Sequence, residues 1–308
     1  MRTQKLPTRL QPMLATLIDA PFDDPAWVFE TKWDGFRMVT EIKNGVVALY
    51  SRNGEVVSER YKPITQALRK IKHDCVLDGE LVALDKQGVP HFQRLQNALR
   101  TKVKLQYCVF DLMFLDGTDL RSLSLLERKE RLEKILPKDT LIQFSEHRFE
   151  HGKRFFVEAK KKKEEGIMAK RAQGSYLSGK RTREWLKIKT GARQEVVIVG
   201  FTKPRRSRKY FGSLVLAVRE GKKWRYVGHV GTGFDATTLK DMHERLLPYI
   251  AAHKPFDEKV KYEDDTTWVR PKLVGEVKFT EWTAGGEMRH PSFIGLRDDK
   301  KAEEVVRE

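Results

Sequence analysis

Lys32 stands two residues before an Asp34-Gly35 turn, and Arg37 follows just beyond it, in the segment Glu30-Thr31-Lys32-Trp33-Asp34-Gly35-Phe36-Arg37. A lysine so placed suits attack on a nucleotide phosphate. Only the neutral amine is nucleophilic, and an ordinary lysine, with a pKa of about 10.4, is almost wholly protonated near neutral pH. Cations close by would favour the neutral form and would also gather a polyphosphate. Lys187-Ile188-Lys189 supplies two of them. In a strand that alternation puts both ammonium groups on one face, with Ile188 turned to the core.

Further segments follow in a fixed order. They are Ser51-Arg52-Asn53-Gly54, Leu77-Asp78-Gly79-Glu80, Val109-Phe110-Asp111, Glu165-Gly166-Ile167-Met168-Ala169-Lys170, Trp185-Leu186-Lys187-Ile188-Lys189, and Arg289-His290-Pro291-Ser292-Phe293-Ile294-Gly295-Leu296-Arg297-Asp298-Asp299-Lys300. Taken with the Lys32 segment they resemble motifs I, Ia, III, IIIa, IV, V and VI of the covalent nucleotidyltransferases: DNA ligases, RNA ligases and mRNA capping enzymes. Lys170 closing the fourth motif and the Trp-Leu-Lys-Ile-Lys form of the fifth are ligase-like. The Arg289–Phe293 phrase followed by Gly295-Leu296-Arg297 resembles the ligase module of bacterial ligase D. Replicative-type ligases tend to carry arginine where Ser292 and Gly295 stand. NAD-dependent ligases have a longer N-terminal segment and a cysteine zinc finger, whereas 31 residues precede Lys32 here and the chain has two cysteines.

The resemblance implies an ATP-dependent DNA ligase in which Lys32 becomes a lysyl-AMP and nicked duplex DNA is sealed. By the same resemblance Glu30 reads the adenine amino group and Phe110 stacks on the ring. Arg37, Arg52 and Glu80 hold the ribose and neighbouring phosphate, Asp34 orients the nucleophile or its metal, and Lys170, Lys187 and Lys189 hold phosphate. Glu80 and Glu165 are the candidate ligands for Mg²⁺ or Mn²⁺, since oxygen donors accept either ion. Arg297 and Lys300 orient the leaving pyrophosphate. An end-joining partner such as Ku is implied, with the protein a monomer, cytoplasmic and nucleoid-associated. The rival readings are an RNA ligase or capping-type transferase, and a non-catalytic nucleic-acid-binding protein on the same scaffold. Taken singly, Asp34-Gly35 and Asp78-Gly79 also read as hairpin turns, Phe110 and Trp185 as core, and Glu165 as a surface acid pairing with Lys161.

These residues need elements to position them. The chain is long enough for two domains, and its formal charge of +17 points to a polyanion such as nucleic acid. Cys75 and Cys108 lie in apolar runs and read as reduced core thiols. The N-terminus lacks the apolar stretch of a signal peptide, and no run reaches membrane-spanning length. With Pro7, Pro12, Pro21 and Pro25, the first thirty or so residues read as an irregular lead-in. Strands are expected over Trp27–Lys32, Phe36–Lys43, Val46–Arg52, Cys75–Leu84 and Leu105–Leu115. Helices are expected from Pro63, over Phe92–Arg100, over Leu125–Leu136 and over Lys153–Lys163. After Gly191, a hinge candidate, the texture changes to short β-branched runs around one helix capped by Asp235, with Leu239, Met242, Leu246 and Ile250 on one face. The expected fold class is α+β: an adenylation (nucleotidyltransferase) domain with antiparallel sheets over residues 1–191, then a small OB-fold β-barrel over residues 192–308. Between two of its strands, Lys203-Pro204-Arg205-Arg206-Ser207-Arg208-Lys209 is a candidate DNA-backbone contact through Arg205, Arg206, Arg208 and Lys209. Lys160–Lys163 reads as a solvated helix end.

Overall fold

The structure, a computed structural model, describes residues 4–85, 88–90, 92–96, 98, 103–205 and 207–308. The chain divides into two compact units, Met1–Thr190 and Gly191–Glu308. The first contains, in chain order, β1 (Leu14–Leu17), β2 (Asp24–Thr31), β3 (Phe36–Lys43), β4 (Val46–Ser51), α1 (Lys62–Leu68), β5 (Cys75–Leu84), α2 (Phe92–Gln96), β6 (Lys104–Leu115), β7 (Thr118–Asp119), α3 (Leu125–Ile135), β8 (Ile142–Phe144), β9 (Arg148–Glu150), α4 (Gly152–Lys161), β10 (Gly166–Arg171) and β11 (Arg181–Lys189).

These strands form two sheets. One runs β1-β11-β10-β2-β9, the other β4-β3-β5-β6-β7 with β8 beside β6. Where β2, β10 and β11 pair, the first sheet alternates with period two. Phe29, Ile167, Ala169, Leu186 and Ile188 point to one side and pack on Phe155 and Ala159 of α4, leaving the alternate residues for the other side. The second sheet is pinned by a two-residue hairpin between β3 and β4. Asn44 and Gly45 both have positive φ, 49° and 76°, as a type I′ turn requires. Asp116-Gly117, between β6 and β7, makes the same kind of turn, at φ 43° and 82°, but neither Asp-Gly pair of the motifs does. Asp78-Gly79 lies inside β5, and Asp34-Gly35 connects β2 and β3, which belong to different sheets. Helix α3 starts on a capping box, Ser124 Oγ accepting from Glu127 N while Ser124 N donates to the Glu127 carboxylate.

One expectation needs correction here, and another lies partly outside the described residues. The lead-in is not irregular throughout: Leu14–Leu17 pairs in parallel with β11. Pro12 and Pro21 flank that strand rather than interrupt it, and Pro25 falls at a register shift between Asp24 and Val28. The helix expected to reach Arg100 runs from Phe92 to Gln96, and its expected continuation lies mostly outside the described residues. Lys160, Lys161, Lys162 and Lys163 are all exposed at the end of α4.

The second unit contains β12 (Arg193–Thr202), β13 (Leu214–Glu220), β14 (Lys223–Val230), α5 (Ala236–Leu246), β15 (Thr266–Trp268), β16 (Val274–Lys278) and β17 (Ser292–Leu296). Its sheet runs β14-β13-β12-β16-β17, with β15 on the far end of β12. Val196 to Val199, Leu214 to Val218 and Val227 form a core with Leu239, Met242 and Leu246 of α5. Asp235 caps that helix through a capping box with Thr238. Ile250 does not join the stripe. The helix gives way to a 3₁₀ turn containing Pro248, which cannot supply the helical N–H, and Ile250 is half exposed.

The expected barrel does not close among the described residues. One parallel bridge, Thr232–Ser292, links the two ends of the sheet. Pro291 has no N–H to extend that ladder, and after Phe234 the chain leaves for the α5 cap. The unit is an open sheet of the OB type.

Candidate active site

The first sheet carries the site on the side away from α4. Cross-strand pairs Met168–Glu30, Met168–Lys187, Lys170–Trp185, Lys170–Val28 and Gly166–Lys189 put these residues on one face. Ile188 is buried on the opposite face and Lys187 and Lys189 are partly exposed, as their alternation implied. Lys32 follows directly on β2, its N–H donating to Gly166 O at 3.0 Å. Glycine is required at 166, since a Cβ there would stand 2.1 Å from Ile188 O. A Cβ on Gly35 would likewise lie 2.1 Å from Leu81 O, so the turn after the lysine threads against β5 only without a side chain.

Lys32 Nζ meets Glu165 Oε2 at 2.6 Å. Glu165 is therefore no surface acid paired with Lys161: it is 7% exposed and faces Lys32. Cations were expected around Lys32, and the structure adds a carboxylate. An amine is nucleophilic only once it has lost its proton, and this carboxylate lies within reach of that proton.

Glu30 is 1% exposed. Its Oε1 accepts from Lys129 Nζ at 2.8 Å, and its Oε2 accepts from Lys170 Nζ at 2.8 Å and Ser145 Oγ at 3.3 Å. Burial pushes this carboxyl up, yet the two ammonium groups outweigh it and hold it below its ordinary value. Burial also draws the Lys170 ammonium down, to about 8, with Lys129 adding to the effect and Glu30 opposing it. Lys170 Nζ lies 4.3 Å from the Phe110 ring centroid and 4.4 Å from that of Trp185.

The second sheet closes the site from the other side. Arg37 Nε and Nη2 donate to Asp78 Oδ1 and Oδ2 at 2.7 and 2.6 Å, and Nη2 also reaches Met13 O. The guanidinium carbon stands 5.0 Å from the Phe110 ring and 5.3 Å from Trp185. Asp78 is fully buried and also accepts from Tyr176 Oη at 2.6 Å. Among the described residues Arg37 Nη1 makes no hydrogen bond, so that nitrogen is left for a ligand. Glu80 pairs across the ladder with Arg37. Asp34 sits in the turn before β3, and Arg52 immediately follows β4; both are partly exposed.

The structure thus brings Lys32, Glu30, Glu165, Lys170, Phe110 and Arg37 together within the first unit. Arg297, Lys300 and the basic loop belong to the second. There Arg297 forms a bidentate pair with Asp299 at 2.8 Å for both bonds and reaches Glu276 at 3.2 Å, while Lys300 Nζ meets Glu195 Oε2 at 2.8 Å. In the loop, Arg205 leans on Asp265 at 3.2 Å and on the Tyr262 ring, and Arg208 donates to Phe211 O. Lys209 is exposed, and Arg206 lies outside the described residues.

Two buried cations of the first unit escaped the sequence reading. Arg128 and Asp111 form a pair with no exposure on either side, at 2.7 and 2.9 Å. Lys129 was missed as well. Both cations occupy the buried stripe Leu125, Arg128, Lys129, Leu132 of α3. Cations standing at i+3 and i+4 of an apolar stripe were the available signal.

Comparison with known proteins now decides the family. Residues 12–189 match the ATP dependent DNA ligase domain, and residues 207–300 match the ATP dependent DNA ligase C terminal region. The chain belongs to the ATP-dependent DNA ligases. This ligase is 38% identical over 98% of its length to the multifunctional non-homologous end joining protein LigD of Pseudomonas aeruginosa, covering 37% of that protein. It is 37% identical over 99% of its length to LigD of Mycolicibacterium smegmatis, covering 41% of it. The chain spans about two fifths of these relatives. Among solved structures, the mycobacterial DNA ligase D complexed with ATP and MES matches with a TM-score of 0.75 at 36% identity, over 97% of this chain and 98% of that one. These matches do not favour the RNA-ligase or capping alternative. Among the described residues of this ligase, no helix is long and apolar enough to cross a membrane.

Proposed function

We propose that this chain seals 5′-phosphate/3′-hydroxyl nicks in duplex DNA at the expense of ATP. The observation that carries the reading is Lys32 Nζ held 2.6 Å from Glu165 on a face lined by Glu30, Lys170 and Phe110. Lys32 Nζ, once its proton has passed to the Glu165 carboxylate 2.6 Å away, bonds to the α-phosphorus. The bond from that phosphorus to the bridging oxygen breaks, and pyrophosphate leaves with the electron pair. The AMP then passes to the 5′-phosphate of the nick, and the 3′-hydroxyl displaces AMP to close the strand. Catalysis of this kind is chiefly positioning and charge neutralisation.

Glu30 accepts the adenine amino group and Phe110 stacks on the base. Arg37, through Nη1, with Arg52 and Glu80, holds the ribose and its phosphate, and Asp34 orients the nucleophile. Lys170, Lys187 and Lys189 bind phosphate. Among the described residues, no group of three or more His, Cys, Asp or Glu side chains converges on one point. That argues against a protein-only metal cage but fits Mg²⁺ or Mn²⁺, which binds through one or two carboxylates and the substrate's own phosphates. Glu80 and Glu165 would hold it, and it would supply neutralisation of phosphate charge.

Arg297 and Lys300 orient the leaving pyrophosphate, exchanging the carboxylates of Glu195, Glu276 and Asp299 for phosphate oxygens. Arg297→Ala is expected to cut self-adenylylation by about 10²-fold or more, the usual cost of removing a donor at developing charge; intact labelling would remove this role. The loop with Arg205, Arg206, Arg208 and Lys209 follows the DNA backbone. Reversing the charges of Arg205, Arg208 and Lys209 should weaken binding of a nicked duplex and lower the slope of log K against log salt by about 0.9 per lost phosphate contact. Unchanged binding in a salt titration would refute it. End joining alongside a partner such as Ku, a monomeric state and a cytoplasmic, nucleoid-associated location complete the proposal.

The decisive experiment is sealing of a singly nicked duplex with ATP, beside GTP and beside an all-RNA nicked strand. Sealing confined to ATP and DNA supports the reading. GTP-driven transfer, or sealing of RNA alone, would replace it with the capping-type or RNA-ligase alternative.

A further inference from the structure

Helix α3 brings to the site a cation that lies in none of the motif segments. Lys129 is 1% exposed and enclosed on three sides. Its Nζ donates to Glu30 Oε1 at 2.8 Å and to Ser145 O at 2.7 Å, and it lies 4.6 Å from the Phe144 ring centroid. The other oxygen of Glu30 is held differently. Lys170 reaches it from between the rings of Phe110 and Trp185, one of which is the surface proposed to stack on the base. Ser145 Oγ completes the arrangement, donating to Glu30 Oε2 and accepting from Trp33 Nε1 at 3.0 Å.

We propose that Lys129 is a positioning residue that fixes Glu30 as an ionised, acceptor-only group and so sets the preference for a purine bearing a 6-amino group, while Lys170 occupies the second oxygen only until the base displaces it. The inference rests on the proposed reading of the base by Glu30. An ionised carboxylate only accepts hydrogen bonds, so it pairs with an exocyclic amine and repels a carbonyl oxygen at the same position. A carboxyl buried this deeply would take up a proton if left alone, becoming a donor and losing that selectivity. The ammonium of Lys129, anchored on Glu30 Oε1 and Ser145 O, prevents this. The second is the one a nucleotide can replace, because the ring on which it rests is the ring the base needs, and burial already weakens its hold on its proton. Lys129 touches neither ring and has no such competitor.

The test compares self-adenylylation kcat/KM for ATP, for purine riboside triphosphate, which lacks the 6-amino group, and for GTP. The proteins are wild type, Lys129→Met, Lys129→Gln, Lys129→Arg and Glu30→Gln, each as the full chain. Lys129→Gln keeps a donor for Ser145 O and a stem against Phe144, so it covers the case in which Lys129→Met fails to fold. Loss of the ionised acceptor should lower kcat/KM for ATP by about 30-fold or more in the neutral variants, with less than about a 3-fold change for purine riboside triphosphate. Discrimination against GTP should fall in parallel, and Lys129→Arg should restore both. An equal fall with ATP and purine riboside triphosphate would mean a merely structural lysine and would overturn the inference, as would an unchanged preference in the neutral variants. Glu30→Gln separates the two levels. If it loses the ATP preference while the Lys129 variants keep it, the role of Lys129 alone fails. If it keeps the preference, base reading by Glu30 fails and takes this inference with it.

Discussion

Lys32→Ala is expected to leave no labelled protein after incubation with α-labelled ATP and Mg²⁺, a loss of at least about four orders of magnitude, as removal of a covalent nucleophile brings elsewhere. The competing amine is Lys170. Burial lowers it to about 8, so on acidity alone it is a credible nucleophile at neutral pH. Geometry decides against it. The Lys170 side chain is 2% exposed and its nitrogen is committed to Glu30, whereas that of Lys32 is 19% exposed on the same face. Access to phosphorus along the line of the leaving oxygen is what attack requires. The check is denaturing electrophoresis after pyrophosphate treatment, which clears protein already adenylated. A labelled band surviving in Lys32→Ala would move the nucleophile to another lysine, and mapping the label would show whether Lys170 carries it. Lys32→Arg should be equally inactive, because a guanidinium keeps the charge but does not deprotonate.

Arg128→Met should destabilise the first unit by about 3–5 kcal/mol, because Asp111 would remain as a buried charge without its partner. The guanidinium also serves two backbone carbonyls, Leu123 O at 2.6 Å and Gly174 O at 3.0 Å. The melting temperature should fall by roughly 10 °C, at about 2–4 °C per kcal/mol for a unit of this size. Arg128→Met combined with Asp111→Leu should recover part of the loss, since it is the orphaned charge, more than the missing pair, that costs. A single variant melting with the wild type would refute the argument. The effect reaches the site through chain neighbours. Asp111 adjoins Phe110 on β6 and Arg128 adjoins Lys129 on α3, so the pair sets the register of the stacking ring against the cation that holds Glu30. Self-adenylylation by Arg128→Met is therefore expected to be impaired even well below its melting temperature.

The strands were the most legible elements, because their signal is local. Phe36–Lys43 and Cys75–Leu84 have the expected bounds, and Lys187-Ile188-Lys189 splits across its sheet by alternation alone. Short strands that depend on a distant partner were not legible. Leu14–Leu17 exists because β11 lies beside it, and nothing in its own composition distinguishes it from the surrounding proline-rich segment. The hairpin signal was present and passed over: Asn44-Gly45 and Asp116-Gly117 make such turns, while the two Asp-Gly pairs that lie in family motifs, Asp34-Gly35 and Asp78-Gly79, do not.

By itself the sequence named the candidate reacting groups. Residue type and order along the chain single out Lys32, the carboxylates and the cations of the motifs, since a motif is a set of functional groups at fixed spacing. What it could not determine is which charges meet. Lys32 against Glu165, Glu30 between Lys129 and Lys170, Arg37 on Asp78, and Arg297 among Glu195, Glu276 and Asp299 all join residues from separate elements. A salt bridge is short in space and unconstrained in sequence separation, and in a buried site its partner decides both protonation and orientation. Only the packing of the two sheets and α3 sets those partners, so the tertiary structure decided how the groups named by the sequence are charged and aimed.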